Sequence, residues 1–126
     1  MSIAAYQQTI AECEDPRRIE YRVFLRVTLE LERYREADWR SAGLKDALWR
    51  NMELWNTLRA DLLDDGNLLP PDLRAKLLSL SFSVERATWQ VLRGETGIAL
   101  LIDINRAIMQ GLQGTTRPAM EVVHGA

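Results

Sequence analysis

A chain of 126 residues fits one domain, and at that length about two-thirds of the surface exposed by the unfolded chain is buried on folding. With 47% hydrophobic and 27% charged residues it lies far from the composition of disordered chains. Sixteen basic against eighteen acidic side chains leave a net charge of -2 with no Lys/Arg block, so direct nucleic-acid binding is not expected: phosphate backbones call for several cations on one face.

The single Cys13 has no partner for an intramolecular disulfide, and with only His124 beside it no structural metal site is expected. The opening residues MSIAAYQQTI lack the basic flank and long apolar core of a signal peptide. No apolar run approaches the ~20 residues of a membrane span, so the protein is expected in the cytoplasm without membrane insertion.

Proline and glycine punctuate the chain at Asp15-Pro16, Gly43, Asp65-Gly66, Pro70-Pro71, Gly94, Gly97 and from Gly111 onward, and between them lie helical periods. A short N-terminal helix is predicted from Ile3 to Cys13. The second helix starts at Asp15, a capping carboxylate followed by proline at the first helical position. Its apolar stripe is Ile19, Val23, Val27, Leu31 and Tyr34, and it is expected to run to about Trp39.

The third helix carries Leu44, Leu48, Asn51, Trp55, Leu58 and Leu62 at alternating intervals of four and three, the seam of a bundle helix. After Pro70-Pro71 the fourth presents Leu73, Leu77, Leu80, Val84, Ala87 and Val91. Ser79, Ser81 and Ser83 alternate with Leu80 and Phe82 as a strand would, but the flanking period keeps the segment helical, and small serines let a neighbouring helix come close. The fifth, from about Thr96 to Leu112, shows Ile98, Leu101, Ile102, Asn105, Ile108, Met109 and Leu112. Short turns between long helices predict an all-α, antiparallel helical bundle of four main helices plus the short N-terminal helix. The domain spans residues 1–113, and 114–126 form a flexible tail.

No catalytic apparatus is evident: the lone His124 lies in the tail, and pairs such as Asp64/Asp65 or Glu12/Glu14 sit at helix ends, where caps and solvated carboxylates belong. No phosphate loop, HExxH or EF-hand pattern is present, and no cofactor is expected. Asn51 and Asn105 each occupy a seam position that calls for a large hydrophobe. The favoured reading pairs them internally, as a core Asn fixes register in coiled coils; the functional reading makes them polar anchors in a partner groove. For Trp39, Trp49, Trp55 and Trp89 the core is the favoured place, except that Trp49 falls one position off its seam and is the better surface contact, while Trp39 is undecided.

These landmarks fall in a familiar order. AYQQ stands near the start, followed by Asp15-Pro16 and Glu20-Tyr21-Arg22. Ala47-Leu48-x-x-Asn51-x-x-Leu54-Trp55-x-x-Leu58-x-x-Asp61-Leu62 comes next, then Leu69-Pro70, Leu73-Arg74-Ala75 and Leu78-Ser79-Leu80. Leu101-Ile102-Asp103-Ile104-Asn105-Arg106-Ala107-Ile108-Met109-x-Gly111-Leu112 closes the set. Together they resemble the FlaF family of alphaproteobacterial flagellar regulators, over nearly the whole chain up to Gly114.

The resemblance implies a non-enzymatic role in promoting flagellin production and secretion, acting with or against FlbT, which restrains flagellin mRNA translation. Flagellin is the natural partner, FlbT a further one. Trp49, Asn51, Leu101, Asn105, Arg106 and Met109 are the candidate partner-binding residues, with the fifth helix as one wall of a groove.

Overall fold

The structure, a computed structural model, describes residues 16–116, with side chains from 21 to 111. It contains four helices: α1 (Pro16–Arg33), α2 (Ala42–Leu63), α3 (Pro71–Leu92) and α4 (Ala99–Thr116), and among the described residues there is no strand. They correspond to the second through fifth predicted helices. The predicted N-terminal helix, the Asp15 cap and most of the predicted tail lie outside the described residues. No helix among them is long and apolar enough to cross a membrane.

α1 begins at Pro16, as the Asp-Pro signal predicts, but its buried face is turned from the one expected. Phe24, Val27, Thr28 and Leu31 are buried, whereas Val23 and Tyr34 are only half-buried. Thr28 escapes a hydrophobicity count because it satisfies its own hydroxyl, donating to the Phe24 carbonyl at 2.6 Å. The helix also stops at Arg33, short of Trp39. Tyr34 and Arg35 donate to Leu31 and Glu32, three residues back, which tightens the last turn. Asp38 then accepts the Arg40 N–H at 2.8 Å in a side-chain turn between the two helices.

α2 starts on Ser41, whose hydroxyl accepts the Leu44 N–H at 3.3 Å. Its predicted seam is the buried face: Leu44, Leu48, Asn51, Trp55 and Leu62, with Ala47 added and Leu58 half-buried. At its far end Arg74, from the first turn of α3, donates through Nε and Nη2 to the Leu62 carbonyl at 3.1 and 2.7 Å. A guanidinium from the next helix thus satisfies a carbonyl that the ending helix leaves without a partner, at the negative end of its dipole.

α3 runs unbroken through the serine segment. Ser81, Val84, Ala87, Thr88 and Val91 face the core, and Leu77 and Leu80 are half-buried. Of the three serines only Ser81 allows close helix approach; Ser79 and Ser83 are exposed. Arg59 of α2 reaches across to Ser81, donating to its Oγ at 3.1 Å and its carbonyl at 3.0 Å, and lies over the Phe82 ring.

α3 closes in a Schellman motif. Glu95 N–H bonds the Gln90 carbonyl, Gly94 N–H bonds the Val91 carbonyl, and Gly94 takes φ +75, where a side chain would be strained. α4 starts at Ala99 rather than Thr96 and continues to Thr116, past Leu112 and into the predicted tail.

Each helix packs on two others in a closed ring, α1 on α2 and α4, and α3 on α2 and α4. The core inside this ring holds Phe24, Leu31, Leu48, Trp55, Val84, Leu101 and Ile102. The Phe24 and Trp55 rings meet edge to face, centroids 5.7 Å apart.

Candidate functional site

The two seam asparagines meet inside the bundle. Asn105 Nδ2 of α4 donates to Asn51 Oδ1 of α2 at 2.8 Å, and Trp55 Nε1 donates to Asn105 Oδ1 at 2.9 Å. The indole fixes the direction of the chain, since it can only donate and so requires an oxygen from Asn105. Asn105 is left to donate through its amide nitrogen, and Asn51 must accept. The cost falls at the end of the relay: Asn51 Nδ2 is buried with no acceptor. The favoured internal reading of these residues is therefore what the fold displays.

Leu101 and Met109 are also buried, among the core of α4. Four of the six predicted partner-binding residues, Asn51, Leu101, Asn105 and Met109, thus face the interior and are not presented to a partner by the folded bundle. The sequence brought them forward because an apolar stripe with a polar interruption looks the same whether it lines a core or a groove.

The other two are on the surface. Arg106 donates to Glu32 of α1 through Nε, at 3.0 Å, and through Nη2, binding α4 to α1. Trp49 is 66% exposed, as its off-seam position predicts, beside Arg50, whose guanidinium pairs with Glu30 at 3.4 Å.

Only Trp55 of the four tryptophans belongs to the core; Trp49 is on the surface as expected, whereas Trp89, for which the core was the favoured place, is not buried. Trp39 packs on the loop between α3 and α4, so close that a Cβ at Gly94 would lie 2.9 Å from its ring, and Arg40 covers the ring at 5.2 Å. Trp89 is 55% exposed on α3, and Phe82, two turns earlier, is 54% exposed. Neither was singled out as a contact residue from the sequence.

A signal for them was present. Ala75, Ser79, Phe82, Arg86, Trp89 and Arg93 recur at intervals of four and three, a second seam on the side of α3 opposite Val84, Ala87 and Val91. A shallow groove beside it is lined by Ala75, Lys76, Ser79, Leu80 and Ser83. It lies on α3, whereas α4 was expected to form a groove wall.

The electrostatics of this surface are simple. Arg93 donates to Glu95 at 2.8 Å, and that hydrogen bond holds the Glu95 carboxyl below its ordinary range. Glu85 is turned to Arg59, 3.4 Å away. Among the described residues no group of His, Cys, Asp and Glu is placed to hold a metal ion. What the arrangement offers is contact surface: large aromatic side chains in water, flanked by charge.

Searches of curated proteins and of solved structures found no match. The profile of the family described as flagellar protein FlaF matches residues 2–112, which takes in all of α1, α2 and α3 and most of α4. With nine-tenths of the sequence covered, roughly the whole bundle, the chain belongs to the FlaF family of flagellar proteins.

Proposed function

We propose that the chain is a non-enzymatic, cytoplasmic regulator of flagellum biogenesis that promotes flagellin synthesis and secretion by binding flagellin as an export chaperone. The observation that carries this reading is membership of the FlaF family over residues 2–112. Two physical features support it. Large side chains that the core does not use, Trp49, Phe82 and Trp89 among them, stand in water, the kind of surface through which one helical protein covers another. A net charge of -2 without a basic block favours a protein partner over direct contact with flagellin mRNA.

Unexported flagellin carries amphipathic helices whose apolar faces are open to aggregation, and a helical bundle covers such a face by lending it a complementary one. The test is co-elution of the purified chain with monomeric flagellin in size-exclusion chromatography. A stable complex is expected. If the chain elutes alone beside flagellin but together with FlbT, its action passes through control of translation instead.

A further inference from the structure

We infer that the outward face of α3 is the docking surface for the partner of that reading, and that it receives an amphipathic helix of flagellin whose apolar stripe is flanked on one side by carboxylates. The inference rests on the flagellin-binding reading and assigns it a place.

The aromatic anchors come first. Phe82 and Trp89 are seven residues apart, two turns along one face, and each leaves more than half its surface in water. Aromatic side chains so placed serve as interface anchors. Ala75, Ser79 and Ser83 give the adjoining groove three small side chains beside Lys76 and Leu80, which allows a second helix to come near. At 100° per residue Phe82 and Trp89 lie on the side of α3 away from Val84, Ala87 and Val91, so docking on them leaves the core of the bundle undisturbed.

Charge then selects the partner. Among the described residues Lys76 and Arg86 have no ion-pair partner, whereas Arg93 is taken by Glu95 and Glu85 by Arg59. The one other acid on α3 is Asp72, in its first turn. Around the α3 axis Arg86 lies about 50° and Lys76 about 130° from the line through Phe82 and Trp89, in the same direction, with about 15 Å between them along the axis. A helix lying in the groove with its apolar stripe on Phe82 and Trp89 meets Arg86, and then Lys76, with the carboxylates on the other side of that stripe. A second copy of this chain docking by the same face would set Arg86 in the middle of the contact against its own like charge, which disfavours self-association there.

The test is fluorescence anisotropy of labelled monomeric flagellin titrated with the full chain, its Phe82→Ser/Trp89→Ser variant, its Lys76→Glu/Arg86→Glu variant and, as a control on α1, Leu29→Ser. Both α3 variants are expected to weaken binding roughly tenfold or more, as loss of central anchors or steering charges does, with Leu29→Ser equal to the parent. Should the aromatic variant fail to fold, the charge reversal, made wholly at exposed positions, decides alone. Parent-like binding by the charge-reversed chain and any folded aromatic variant overturns the inference and leaves the chaperone reading standing. Absence of binding by the parent chain defeats both.

Discussion

Trp55 and Asn105 are joined across the bundle, the indole Nε1 of α2 donating to the amide oxygen of α4 over 2.9 Å with both side chains buried. Asn105 is thereby the middle of a three-residue relay, accepting from Trp55 and donating to Asn51. Replacing it with Leu leaves the indole N–H and the Asn51 amide oxygen buried without partners, each at about 1–3 kcal/mol. Asn105→Leu is therefore expected to lower stability by about 2–6 kcal/mol, read as a fall in the urea midpoint. A more stable variant would mean that the amide is a poorly satisfied core group.

Asn51, at the end of the same relay, behaves differently. Its Nδ2 already lacks an acceptor, so Asn51→Leu removes one orphaned group while creating another at Asn105 Nδ2. The expected cost is smaller than that of Asn105→Leu by about 1 kcal/mol or more. In a double-mutant cycle the two substitutions should couple, and a strictly additive result would show that the hydrogen bond between the amides contributes nothing.

Gly94 holds a left-handed conformation under the Trp39 ring. Gly94→Ala meets both the φ +75 backbone and a contact of 2.9 Å, and is expected to cost about 1–2 kcal/mol from the backbone alone. Gly97→Ala is the comparison, since its Cβ would meet nothing within 4 Å. It is expected to stay within about 0.5 kcal/mol of the parent in thermal unfolding. Equal effects at the two glycines would contradict the left-handed conformation of Gly94.

Arg74 ties the end of α2 to the start of α3 by two bonds to one carbonyl. Arg74→Met keeps the stem but releases that carbonyl, at an expected cost of about 1–2 kcal/mol in urea unfolding. Arg74→Lys should recover only part, because an ammonium lacks the planar fork that places two donors together. Full recovery with Lys would reduce the contact to a simple charge at a helix end.

The four main helices were legible because the seam of α2 and the Asp-Pro, Pro-Pro and Gly signals act locally, within a few residues of where they stand. What escaped was tertiary. Phe24 and Thr28 turn the buried face of α1 because a hydroxyl bonded within its own helix can be buried like a methyl. Just past the end of α1 the Tyr34 ring packs so close to Gly43 that a Cβ there would clash with it, a contact no local pattern records. Asn51 and Asn105 were legible as polar interruptions of two seams, but not as partners 54 residues apart. The outer seam of α3 is masked in the sequence by the stronger inner one, and the exposure of Phe82 and Trp89 is a property of the folded bundle.

The most direct test of flagellin binding is titration calorimetry of the purified chain against flagellin from the same bacterium, kept monomeric, with FlbT as a second titrant. Saturable heat with flagellin is the expected result. Heat with FlbT alone, and none with flagellin, would contradict the chaperone reading and place the protein's action at the translation of flagellin mRNA.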